Sequence, residues 1–291
     1  MALGISQDVA DRMLDPFGGS HDLAGGVLRV LHERSFEDDP TRGFRAARFA
    51  GRFGLTLAPQ SAAWLTHALE TGAFAALSLE RLGGELERLL GEVEPIRGIR
   101  LLRDWGILGA WSPPPFHADA VAEERLAQVP SLCARAAGWA PDTPFDPELL
   151  YWMVLSDGLP REVRDARTRM VPGGRARQER FAAGLDAARA AVGMLRGTGR
   201  GAAGHVLRRL DPMTRIATLL VDDSATEDLV QWWFTEGRAV RLAVDGSALV
   251  GAGVPRGPAV GRALDAAWSA AWDGAGEEAQ MAAALGASCS T

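Results

Sequence analysis

The chain has 291 residues, of which 47% are hydrophobic and 23% charged, enough apolar material for sizeable cores. No stretch approaches the ~18 unbroken apolar residues of a membrane span, and a net charge of −6 argues against a protein that coats nucleic acid over its whole surface. Cys133 and Cys289 lie too far apart in sequence for a metal spacing or a disulfide framework, and MALGISQDVADRML lacks a basic run before an apolar stretch, so no secretory leader and a cytoplasmic location are expected.

Residues 1–36 read as irregular, with a turn at Asp15-Pro16-Phe17-Gly18-Gly19 and a short strand candidate at Val27-Leu28-Arg29-Val30-Leu31. From Pro40 the pattern turns helical. Segments 40–53, 59–70, 78–91 and 95–105 carry apolar residues three and four apart, punctuated by Gly54, Gly72, Gly91 and the WSPPP run at 111–115, the best boundary candidate. Further helices are expected at 118–137, 146–156, 174–195, 201–209 and 212–221, with a basic loop or helix junction over 160–178. A turn followed by a helix is expected from Arg241 to about Gly274. The predicted fold class is mainly α, behind a small non-helical piece.

Residues 36–54, FEDDPTRGFRAARFAGRFG, concentrate charge unusually. Asp39-Pro40 is a strong helix start, because aspartate caps exposed amides and proline suits the first helical position. At ~100° per residue, Arg42, Arg45, Arg48 and Arg52 fall within an arc of roughly 120°, with Phe49 and Phe53 beside it and Phe44 pointing away. All 31 basic residues are arginine, so every cation here is a guanidinium fork suited to phosphates and base edges. Two readings follow. One is a solvated amphipathic helix whose arginines pair with acids elsewhere. The other is a nucleotide or phosphate site, in which the helix dipole and arginines face phosphates and an Asp/Arg pair faces a base edge.

EDDPTRGFRAARFA resembles the acid-Asp-Pro-x-Arg-x-x-Arg-Ala-x-Arg-Phe-Ala signature of class II tRNA nucleotidyltransferases (CCA-adding enzymes) and bacterial poly(A) polymerases. LDPFGGSHDL at 14–23, ERLGGELERLL at 80–90 and VDGSALVGAGVPRGPAVGRALDAAWSAAWDG at 244–274 resemble further motifs of that family in the same order. The resemblance implies a head remnant at 1–36, a nucleotide-selecting neck at 37–115, a body at 116–240 and a tail at 241–291. It implies that Asp39 and Arg42 pair with incoming CTP or ATP, that Arg45 and Arg48 help hold the nucleotide, and that Asp38 fills the first acidic position, with Glu37 as an alternative. Asp15, Gly18, Gly19 and Asp22 would form a hinge segment or a plain Asp-capped turn. Arg81 and Glu85 read as an i,i+4 scaffolding pair, and Gly257-Pro258 as a turn before a tail helix. Among the arginines at 161–180, Arg164, Arg167, Arg175 and Arg177 are candidates for an RNA-backbone surface, tRNA being the expected partner. Trp232-Trp233-Phe234 read as a helix packing site in preference to base stacking.

The family's Asp-x-Asp carboxylates, which hold the metal ions of nucleotidyl transfer, have no counterpart in the sequence; Asp38-Asp39 and Asp222-Asp223 are adjacent, not alternating. No catalytic or metal-ligating residue is therefore assigned, and Mg2+ is expected only with a head domain, joined or in trans. The family's Arg-Asp-Phe-Thr-Ile-Asn-Ala-Met-Ala run ends as Met1-Ala2-Leu3 begins, so the chain is expected to start inside a longer gene and not to transfer nucleotides alone. A headless RNA-binding module is the competing expectation. Without its head sheet, Val27–Leu31 would present an unpaired edge. His21-Asp22 prompts a metal-dependent phosphohydrolase, but His32, His67, His117 and His205 do not complete a ligand set.

Overall fold

The structure, a computed structural model, describes residues 2–3, 13–110, 114–116 and 118–288; Met1, Cys289, His117 and the first three residues of the WSPPP run lie outside them. Strands β1 (Ala2–Leu3) and β2 (Met13–Leu14) pair antiparallel ahead of helix α1 (Gly19–Ala24). Strand β3 (Val27–Leu28), the single-turn helix α2 (Ser35–Asp38) and the arginine helix α3 (Thr41–Phe53) follow. Gly54 ends α3 at φ 66°, its amide and that of Leu55 both returning to the Ala50 carbonyl. This left-handed residue turns the chain back, and β4 (Thr56–Leu57) pairs parallel with β3. The amides of Thr56 and Ala58 donate to the carbonyls of Gly26 and Leu28 at 2.8 and 2.9 Å. The strand expected to be unpaired thus has a partner on one side, and the Val30 amide beyond it bonds the Ser61 hydroxyl at 3.1 Å. A sequence pattern does not show a partner contributed from beyond an intervening helix.

Helices α4 (Pro59–Glu70), α5 (Leu79–Leu90), α6 (Pro95–Asp104) and α7 (Ile107–Ala110) come next, with a 3-10 turn at Ala73–Ala76. Then follow α8 (Ala120–Trp139), α9 (Pro147–Leu155), α10 (Arg161–Ala166), a 3-10 turn at Thr168–Met170 and α11 (Arg175–Ala183). Contacts divide the chain into two units, residues 1–127 with 151–184 and residues 128–150 with 185–291. In the first unit α3 packs on α5 and α6. Phe44, Ala46, Ala47 and Ala50 are buried on one face of α3, with Leu82, Leu86, Leu89, Leu90, Ile99 and Leu102 buried on α5 and α6. Each such Leu or Phe contributes about 1.5–3 kcal/mol of burial. The α3–α6 crossing is close because both sides are glycine: a Cβ on Gly51 would lie 2.8 Å from the Gly98 nitrogen. Fully buried Trp152 meets Phe116 and Phe181 edge-on, each at 5.8 Å between ring centroids, and its indole donates to Glu87 at 2.6 Å.

The second unit holds α12 (Asp186–Leu195), α13 (Arg200–Arg209), α14 (Pro212–Thr235), α15 (Gly246–Gly251), α16 (Pro258–Trp272) and α17 (Glu277–Ser288). The helix expected over 174–195 is broken at Gly184, whose φ of 59° and ψ of −145° no helix contains. The helix expected to end at 221 resumes after the non-helical Asp222 (φ −160°, ψ 91°) and carries Trp232, Trp233 and Phe234, 4%, 5% and 2% exposed. These rings pack inside their unit. Helix α17 was not anticipated; Val244, Leu249, Val254, Ala263, Ala267 and Ala284 form a cluster that buries one side of it. Among the described residues no helix is long and apolar enough to cross a membrane.

Candidate functional site

Asp39 is extended (φ −149°, ψ 90°) and Pro40 already helical (φ −61°), so the Asp39 side chain folds back over the first turn of α3. Its Oδ1 accepts from the Thr41 amide at 3.2 Å, the Thr41 hydroxyl at 2.6 Å and Nη2 of Arg81 at 3.0 Å. Partial burial by itself raises the carboxyl's pKa, but Thr41, Arg81 and Arg42 together outweigh it and hold the group below the usual carboxylate range. Asp39 is therefore a fixed anion at neutral pH. The expected Arg81–Glu85 pair is not made: Arg81 crosses to Asp39, and Glu85 takes Arg88 at 2.6 Å. The first turn of α5 lies beside that of α3, where the carboxylate offers Arg81 a partner already held in place. Sequence reasoning missed Arg81 and Thr41 as partners of Asp39; only Thr41, inside the D-P-x-R motif, carried a local signal.

Arg42 belongs to the same turn, its amide bonded to the Asp39 carbonyl at 3.0 Å. Its guanidinium commits one donor to the Ser35 carbonyl at 3.1 Å and walls a cleft of about 300 Å³ with Val30, Leu31, His32 and Ser35. Asp38 points instead to Arg34 at 3.6 Å, and Glu37 to Arg34 and His67 at 3.6 and 3.3 Å. The predicted arginine face divides along its length. Arg45 is exposed, with no hydrogen bond or ion pair to the described residues. Arg48 and Arg52 both approach Glu92, at 3.7 and 3.6 Å, and lie over the rings of Phe49 and Phe53 at 4.7 and 5.0 Å. Pairing with distant acids thus applies to Arg48 and Arg52 but leaves Arg45 open.

The segment at 15–22 is a capped turn. Asp15 accepts from the amides of Gly19 and Ser20 at 2.7 Å each and from the Ser20 hydroxyl, Gly18 sits at φ 68°, and Asp22 holds Arg29 with two bonds of 2.9 and 3.0 Å. The Ser20 hydroxyl foremost lowers the Asp15 pKa, and Arg29 lowers that of Asp22. Gly257 adopts φ 107° before α16.

The RNA-facing arginines need correction. Arg164 and Arg167 are each 3% exposed. Arg164 donates to the carbonyls of Leu159 and Ala182 at 2.6 and 2.8 Å, its guanidinium passing where Gly184 carries no side chain. Arg167 donates to the Pro114 carbonyl at 2.6 Å and covers the Phe116 ring. Arg177 pairs with Glu87 at 2.8 Å and donates to the Pro172 carbonyl at 2.7 Å. Backbone carbonyls at helix ends need donors, and arginine's fork supplies them from inside. Arg175 alone of the four is exposed, paired with Glu179 at 2.7 Å. Arg164→Ala is expected to cost about 3 kcal/mol by orphaning buried carbonyls, seen as a lower urea midpoint, with no selective loss of RNA affinity. Among the described residues no group of three His, Cys, Asp or Glu is placed to hold a metal ion.

No family model matches the chain. A multifunctional CCA protein of Neisseria gonorrhoeae is 39% identical over 109 residues, covering 38% of this chain and 26% of that protein. An A-adding tRNA nucleotidyltransferase of Halalkalibacterium halodurans is 39% identical over 106 residues, 36% of this chain and 25% of that protein. A solved complex of a CCA-adding enzyme with CTP superposes with a TM-score of 0.81 over 99% of this chain and 69% of its own, at 23% identity. Over these segments the chain is similar in sequence to tRNA nucleotidyltransferases. The matched sequence spans about a quarter of the length of these curated relatives, while the mainly α fold is shared throughout with the CCA-adding enzyme.

Proposed function

We propose that this chain is the nucleotide-selecting and RNA-binding part of a tRNA nucleotidyltransferase that adds C or A to tRNA 3′ ends from CTP or ATP. The observation that carries the reading is the first turn of α3, where an ionised Asp39 shares its turn with Arg42, whose guanidinium walls an open cleft. An anionic acceptor next to a cationic donor complements a base edge that shows an amino group beside a bare ring nitrogen, as cytosine and adenine do. Uracil and guanine show a carbonyl beside an N–H, which sets oxygen against carboxylate and N–H against guanidinium. Arg45 and Arg48 lie along the same helix, where they would meet the phosphates. Asp38, turned toward Arg34, takes a secondary place.

The described residues do not fit a metal centre, so the metal-dependent transfer step is assigned to carboxylates of a head domain, joined or in trans. The test is equilibrium binding of the four nucleoside triphosphates to the purified chain. CTP and ATP are expected to bind and GTP and UTP not to. Equal binding of all four would remove the base-reading role. The chain alone is expected not to add labelled AMP to tRNA ending in CC; incorporation would overturn the placement of the chemistry elsewhere. RNA bound without nucleotide selection would favour the RNA-binding module.

A further inference from the structure

Glu92 lies in the turn between α5 and α6 with its side chain 16% exposed, and two arginines of α3 converge on it. The separations, 3.7 Å to Arg48 and 3.6 Å to Arg52, exceed the 2.7–2.9 Å or so of a charge-assisted hydrogen bond. The single carboxylate therefore offsets one of the two guanidinium charges without engaging the donors of either. The Arg48 Nε is buried and has no hydrogen-bond partner among the described residues, an unmet donor that disfavours this arrangement. A cleft of about 460 Å³, lined by Arg52, Gly91, Glu92, Val93 and Glu94, opens on the same carboxylate.

A largely covered Arg48 beside an exposed Arg52 needs a counter-charge when nothing is bound, and unspent N–H groups need an acceptor of better geometry than Glu92 provides. A phosphate group, with several anionic oxygens, meets the second need and conflicts with the first. We propose that Glu92 is a resident counter-ion that holds Arg48 and Arg52 in the unliganded protein and opposes phosphate there by like charge, setting how tightly this end of α3 binds phosphate. The proposal rests on the reading of α3 as a nucleotide site. It adds a residue outside every motif that carried the family resemblance. The phosphate belongs either to the nucleotide or to the RNA backbone.

The test is calorimetric titration of the full chain and Glu92→Gln at low salt, with tripolyphosphate in one arm and a short single-stranded RNA ending in CC in the other. Removing one negative charge within several ångströms of a polyanion is expected to tighten binding about three- to ten-fold. The gain is expected to vanish in the double variant Glu92→Gln, Arg48→Gln. A purely structural ion pair would instead leave affinity unchanged or lower it, and either result overturns the proposal. Tightening for tripolyphosphate assigns the phosphate to the nucleotide; tightening for RNA alone assigns it to the RNA backbone. In the unaltered chain the Arg48 Nε–H resonance, identified by its loss in Arg48→Gln, is expected to shift as one of these ligands is added. A resonance that stays still with both overturns the proposal even if Glu92→Gln does not fold. Tripolyphosphate has no base. A chain that tightens on it yet fails to prefer CTP over GTP would therefore keep the role of Glu92 and lose the base-reading role of Asp39 and Arg42.

Discussion

Gly83→Ala is expected to destabilise the chain by about 3 kcal/mol or more, while Gly84→Ala, one residue along the same helix, is expected to stabilise it by about 0.5–1 kcal/mol. A Cβ on Gly83 would lie 1.8 Å from the Met170 carbonyl oxygen and 2.6 Å from its Cα. The obstruction is backbone, which has no rotamer to escape into. The 3-10 turn that carries it is itself held: Met170 is 1% exposed, its amide is bonded to the Arg167 carbonyl at 2.9 Å, and Arg167 is tied to the Pro114 carbonyl at 2.6 Å. At Gly84 the nearest outside atom is the end of the Arg88 side chain at 3.9 Å, so alanine's helix preference acts unopposed. Urea unfolding followed by circular dichroism checks both. Equal midpoints for the two variants would mean that α5 does not pack on that turn.

Asp39→Ala and Arg42→Ala are each expected to weaken CTP and ATP binding about ten- to a hundred-fold, the equivalent of one charge-assisted hydrogen bond. GTP and UTP affinities should hardly change, so both variants become less selective as well as weaker. Arg81→Ala should act in the same direction with a smaller effect, because Thr41 still holds the carboxylate. The pH dependence has a definite sign. The Asp39 carboxyl is held below its ordinary value of 3.8, so its contribution to stability and selectivity is complete above that pH. It fades as pH falls through the folded pKa, where the carboxylate takes up its proton. Selectivity between CTP and GTP measured at neutral pH and near pH 6, where the cytosine ring nitrogen is still unprotonated, should therefore agree. A loss already evident near pH 6 would contradict a depressed Asp39.

The sequence by itself determined the helical architecture and that Asp39 and Arg42 share one turn at the start of α3. Asp39-Pro40 starts α3 and Gly54 stops it, and the limits 59–70, 78–91 and 95–105 lie within a residue of α4, α5 and α6, because caps, glycines and apolar spacing act over a single turn. Asp39 and Arg42 are legible for the same reason: three residues apart on one helix, they share a turn whatever surrounds them. The second half of α14 escaped because Asp222 interrupts the period, and α10 because a six-residue helix shows too little of one. Only the tertiary structure decided which charges meet. Arg81 reaches Asp39 across 42 positions, Glu92 gathers Arg48 and Arg52, and Arg164 turns inward to backbone carbonyls. An arginine's long stem carries its charge several ångströms from its own backbone. Its partner is therefore whichever acceptor packing brings within that reach, and local sequence does not record which one that is.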